Sequence, residues 1–113
     1  MLLSVLLSIA VAADSAQVCS GRGTSLVVET RAHLLWICEG GRPVERFRVA
    51  IGTNGTPKRF EGDSRTPIGT YPLGAPRPSG RFGLFIPVGY PTPDQVKEGF
   101  TGSNVGIHGP NRS

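Results

Sequence analysis

Glycine and proline interrupt this chain so often that long helices are ruled out over most of its length. There are 16 glycines and 10 prolines among 113 residues. Both residues break helices, and both mark turns. They are interleaved with short apolar runs, so the pattern reads as short strands joined by tight turns and not as a disordered segment. With 38% hydrophobic and 18% charged residues the composition is globular, and the length allows one domain at most.

Ser25 to Thr30 carries Leu26, Val27, Val28 and Thr30 and predicts a strand. Arg31-Ala32 is a short connection, His33 to Cys38 a second strand, and Glu39 to Pro43 a turn. Val44 to Ile51 predicts a third strand, with Val44, Arg46, Arg48 and Ala50 on one face and Phe47, Val49 and Ile51 on the other. Three strands with short links make an antiparallel meander. Gly52 to Thr66 is polar and glycine-rich, a long loop of the kind that often carries function. Thr66-Pro67-Ile68-Gly69 closes it as a turn. Thr70 to Leu73 reads as a short strand, Gly74 to Gly80 as a proline-rich loop, and Phe82 to Val88 as an apolar strand. Thr92-Pro93-Asp94-Gln95 is the one clear helix start: a capping threonine, proline at the first helical position, and a glutamine that completes a capping box. Gly99 ends that helix, near 93–98. The expected architecture is mainly β: a meander packed as a sandwich or partial barrel, long loops at one end, one short helix.

Met1 to Ala13 is an apolar run interrupted only by Ser4 and Ser8. A membrane-spanning helix needs about 20 residues, so no stable membrane span is expected. The run has the length of an export-signal core, and Ala10-Val11-Ala12-Ala13 offers small residues at cleavage spacing, although no Lys or Arg precedes it. Residues 1–16 are accordingly read as a leader and 17–113 as the domain, with a buried first strand as the alternative. Cys19 and Cys38 are the only cysteines. In an exported protein an even count reads as a disulfide, and a hairpin centred near Arg31-Ala32 brings the two close. A catalytic thiol at Cys38 is the competing reading. A strand cysteine is more often a buried small hydrophobe, and no helix N-terminus is in sight to activate it.

The net charge is +4, and ten of the twelve basic residues are arginine. There is no basic run, zinc spacing or aromatic stripe, so nucleic acid is not the expected partner. The two histidines stand 75 positions apart and give no metal-ligand spacing. No cofactor is called for, and a monomer is expected.

Near the end, Val105 and Ile107 alternate into Gly106-Ile107-His108-Gly109-Pro110. This reads as a strand ending in a turn with the imidazole at its mouth. Histidine is the side chain suited to taking and giving a proton near neutrality. Taken from position alone, His108 could equally be a turn histidine bonded to a loop carbonyl.

Three features then stand in order: a strand ending at Gly52 before a long polar loop, Thr66-Pro67-Ile68-Gly69-Thr70-Tyr71, and Gly106-Ile107-His108-Gly109-Pro110. This order resembles the L,D-transpeptidase (YkuD-type) catalytic domain of bacterial cell-wall enzymes, from about Ser25 onward. The stretch from Arg77 to Phe85 is similar to one proteobacterial branch of that family. The resemblance implies acyl transfer between peptidoglycan stem peptides. A cysteine thiolate attacks the donor, D-alanine leaves, and the thioester passes to an amine or to water. It implies that His108 is the proton donor and acceptor, and that Gly106 and Gly109 border the substrate. The family's nucleophile sits in a Gly-Cys step well beyond the His-Gly step, and neither Cys19 nor Cys38 matches it. The expectation is therefore a catalytic domain that is C-terminally incomplete, inactive alone, and left with uncovered apolar faces. The competing expectation is a non-catalytic periplasmic domain that binds peptidoglycan.

Overall fold

The computed structural model describes residues 4–8 and 15–110. In chain order the elements are β1 (Ser4–Ser8), α1 (Ser15–Val18), β2 (Ser25–Glu29), β3 (Leu34–Glu39), β4 (Arg42–Arg48), β5 (Gly69–Pro72), β6 (Arg77–Ser79), β7 (Gly83–Pro87), α2 (Pro93–Lys97) and β8 (Gly106–His108). The fold is mainly β. A five-stranded sheet has the order β4-β3-β2-β1-β5, and a three-stranded sheet the order β6-β7-β8; among the described residues no closed barrel forms. No described helix is long and apolar enough to cross a membrane.

The meander is present as β2-β3-β4, antiparallel throughout. Its last turn is tighter than the Glu39–Pro43 turn expected: Glu39 already faces Arg42 across Gly40-Gly41. β4 accordingly starts earlier and ends at Arg48, short of Ile51. His33 belongs to the preceding turn, at φ 55°, and not to β3.

Alternation divides the meander's side chains between two faces. One face carries Val28 and Leu35, which pack with Val5, Tyr71, Val88 and Tyr90. The other carries Val27, Trp36 and Cys38, covered by Val18 and Cys19 from α1 and the turn after it. The Cys19–Cys38 disulfide lies in this second cluster, both residues fully buried. Trp36 donates its indole N–H to the Glu29 carboxylate, which gives a partner to each of two buried polar groups on that face.

Ser4–Ser8 falls inside the segment read as a leader, and here it forms β1, the link between the meander and β5. It runs parallel to β2 and antiparallel to β5, and Val5 is fully buried. The buried first strand, set aside in favour of a leader, is thus the arrangement of the uncleaved chain. The small-residue run Ala10-Val11-Ala12-Ala13 lies outside the described residues.

The helix start expected at Thr92–Gln95 is present. Thr92 accepts from the Gln95 backbone at 3.2 Å, and Gln95 Oε1 accepts from the Thr92 N–H at 2.9 Å. The same Gln95 donates Nε2–H to the Tyr71 hydroxyl at 2.9 Å, and Tyr71 donates to the Ile68 carbonyl at 2.7 Å. One capping residue therefore ties α2 to the strand that follows the Thr-Pro-Ile-Gly turn. Burial pushes the Tyr71 phenol up from its ordinary value, against the Gln95 hydrogen bond, so Tyr71 remains a neutral structural hydroxyl.

Candidate active site

β8 is short because its pairing is limited to β7: Phe85 faces His108, Ile86 faces Ile107, and Pro87 faces Gly106. His108 stands at the exposed end of that ladder. Its Nδ1 lies 2.8 Å from the Gly109 carbonyl oxygen. A carbonyl only accepts, so Nδ1 carries the proton in this contact, and in the neutral ring Nε2 holds the free lone pair. The Phe82 ring lies 3.9 Å from the imidazole at a 32° tilt, and the Phe85 ring lies 5.9 Å away, nearly parallel. Arg81 and Arg77 in turn sit over these phenyl rings, at 5.3 and 5.2 Å.

Gly106 is a packing requirement. A Cβ there would collide with the far edge of the Phe85 ring, so a larger residue would have to displace that ring. Gly109 is close to the Phe82 carbonyl, with 3.0 Å available to a Cβ. The three residues singled out in the sequence, Gly106, His108 and Gly109, thus lie together. All three line a cavity of about 540 Å³ whose walls include Val28, Leu35, Arg65 and Phe82. A more open groove of about 940 Å³, lined by residues such as Leu26, Ile37, Phe47, Ile86 and Ile107, shares His108 and Gly109 with it. Apolar surface is exposed there: Phe47 is 49% exposed.

Arg65 and Thr66 bring the Gly52–Thr66 loop to the cavity wall, and that loop is held firmly. Gly52 donates its N–H to Thr66 Oγ1 at 2.7 Å, Asn54 N–H donates to Ser64 O at 2.9 Å, and Thr66 N–H donates to Gly55 O at 2.9 Å. Within the loop, the Asp63 carboxylate accepts from the backbone N–H of Arg59, Phe60 and Arg65 and from Lys58 Nζ, at 2.9–3.1 Å. Desolvation raises the Asp63 pKa, but these four donors outweigh it and hold the carboxyl well below the usual carboxylate range. Thr101 fastens the loop from outside, accepting from Glu61 N–H and donating to Arg59 O. Sequence reasoning marked this loop as functional but missed Asp63 as its organiser. The available signal was an aspartate two residues before Arg65 in a glycine-flanked turn, the setting of an Asx turn.

The cysteines take no part in this site. Cys38 packs in the Val27–Trp36 cluster, borders the open groove but not the 540 Å³ cavity, and is bonded to Cys19; no free cysteine exists among the described residues. This removes the reading of Cys38 as a catalytic thiol.

A family model described as the L,D-transpeptidase catalytic domain (YkuD) matches residues 23–113. No curated protein and no solved structure matches the chain.

Proposed function

The chain belongs to the L,D-transpeptidase catalytic-domain family, and from that premise we propose that its cavity is one wall of an acyl-transfer site for peptidoglycan stem peptides, with His108 as the proton donor and acceptor. The observation that carries this reading is the placement of His108. Its imidazole stands at a strand end, bordered by Gly106 and Gly109, against an apolar cavity, with Nδ1 bonded to the turn and Nε2 left for chemistry.

The chemistry has two halves. A thiolate adds to the carbonyl of the donor's third residue, the C–N bond to D-alanine breaks, and the departing amine takes a proton from the imidazolium. The neutral imidazole then accepts a proton from the acceptor amine, or from water, as it attacks the thioester, and the thiolate is released. Both cysteines of these 113 residues are joined to each other, so the thiol is not among them. No turnover is expected of these 113 residues alone. Export to the cell envelope is part of this proposal, supported by the apolar Met1–Ala13 run and by a disulfide that persists in oxidising compartments.

The test is D-alanine release from a synthetic stem tetrapeptide. No release is expected from the 113-residue chain, together with perturbation of the His108 ring resonances on adding the peptide. Release that survives Cys19→Ser/Cys38→Ser would sink the thioester mechanism, and an unperturbed His108 would sink the site.

A further inference from the structure

We infer that Arg65 receives the terminal carboxylate of the donor stem, as a positioning residue for the reaction proposed above and resting on that reading. The carboxylate of the departing D-alanine lies one residue past the scissile bond. Whatever receives it must share a cavity with the group that protonates the leaving amine. Arg65 and His108 line the same cavity.

Most of the other cations nearby are otherwise engaged. Lys58 is nearly buried, paired with Asp63 at 2.9 Å and donating to the Phe60 carbonyl at 2.9 Å. Arg59 sits over Phe100, Arg77 over Phe85 and Arg81 over Phe82. Arg46 sits over the Trp36 ring at 5.7 Å, in the cluster on the sheet face away from the cavity, whereas Arg48, at the end of β4, lines the same cavity as Arg65. Among the described residues the Arg65 guanidinium has no acidic partner, since the one ion pair is Lys58–Asp63.

The backbone at Arg65 is fixed even though its side chain is exposed. Its N–H donates to Asp63 Oδ1 at 3.1 Å, and the residues on either side are bonded across the loop. Gly52 closes the clasp, because a Cβ at that position would collide with Ser64 O and the Arg65 backbone. A fixed stem carrying an unpaired planar fork suits a carboxylate, which it can hold through two parallel N–H donors. The surrounding walls are otherwise largely apolar, so a free carboxylate entering the cavity would meet Arg65 and Arg48 as its cationic donors, and Arg65 is the one whose backbone the loop clasps.

The experiment compares two synthetic stem tetrapeptides, one ending in a free D-alanine carboxylate and one in its amide, titrated into the 113-residue chain with its disulfide intact. Wild type should bind the acid roughly tenfold more tightly than the amide. Arg65→Gln should bind both alike, and Arg65→Lys should restore part of the preference. Arg59→Gln should keep all of it, and Trp36 fluorescence should report each variant as folded. Equal binding of acid and amide by wild type, or a preference that survives in Arg65→Gln, overturns the role of Arg65 while leaving the stem-peptide reading in place. Binding of neither peptide by folded wild type overturns both.

Discussion

The imidazole of His108 and the phenyl ring of Phe82 lie 3.9 Å apart, centroid to centroid. Such a contact places the histidine protons in the ring current of the phenylalanine, and aromatic pairs contribute about 0.5–1.5 kcal/mol beyond area burial. Phe82→Leu should shift the His108 ring protons downfield and free the ring to sample other rotamers. Phe60→Leu, at a residue 59% exposed, should leave them in place. Proton NMR of the two variants decides it; a His108 spectrum untouched by Phe82→Leu would show that the ring is not held as described.

Gly106 and Phe85 are interlocked, since a Cβ at 106 would collide with the far edge of the Phe85 ring. Gly106→Ala should therefore cost roughly 1–3 kcal/mol, the usual range for overpacking. Phe85→Leu in the same chain should recover part of that loss by making room. A urea series on the single and double variants measures the coupling, and simple additivity would count against a direct clash.

Asp63 makes the loop's behaviour in acid testable. Its folded-state pKa lies below the unfolded one, so its stabilising contribution is fully present above the unfolded value of about 4 and is lost as pH falls toward the folded value. The amide signals of Arg59, Phe60 and Arg65 should hold steady from neutrality to about pH 4 and move together only in stronger acid. Asp63→Asn should disturb all three at neutral pH, because an amide oxygen is a weaker acceptor than a carboxylate.

The disulfide supports the scaffold and not the cavity, because it sits in the cluster on the far side of the sheet. Its residues are 19 apart, and closing a loop of that size contributes about 3 kcal/mol. Cys19→Ser/Cys38→Ser should lower the urea-unfolding free energy by about that amount, with Trp36, 7% exposed in the same cluster, reporting the transition. The His108 ring contacts should survive in the folded fraction.

Legibility followed the physical origin of each feature. β2, β3 and α2 were readable because side chains define them, through branched apolar runs and a complete capping box. β6 was not, because Arg77-Pro78-Ser79 looks like loop; proline is tolerated there since β6 is the edge of its sheet. The four residues of α1 are too few to show a period. His108 announced itself through its glycine and proline neighbours. Asp63 did not, since three of its four donors are backbone N–H groups, which every sequence has.

β1 is the most instructive case, and it yields the last prediction. A continuous apolar run is the signature of an export-signal core, and equally of a strand buried on both faces, which carries no alternation to distinguish it. In this fold Val5 faces Leu26 on one side and Tyr71 on the other, with no exposed surface. Val5→Asp in the uncleaved chain should cost roughly 3 kcal/mol or more, combining the lost burial of a valine with an unpaired polar group in the core. The Tyr71 hydroxyl bond to Ile68 should loosen with it, since Tyr71 packs on β1 from the neighbouring strand. Urea unfolding of Val5→Asp against wild type makes the measurement. A variant as stable as wild type would mean that residues 4–8 hang outside the domain as a leader does; a strongly destabilised one would mean that the meander and β5 depend on this strand, and that removing it as a leader leaves a gap in the sheet for another strand to fill.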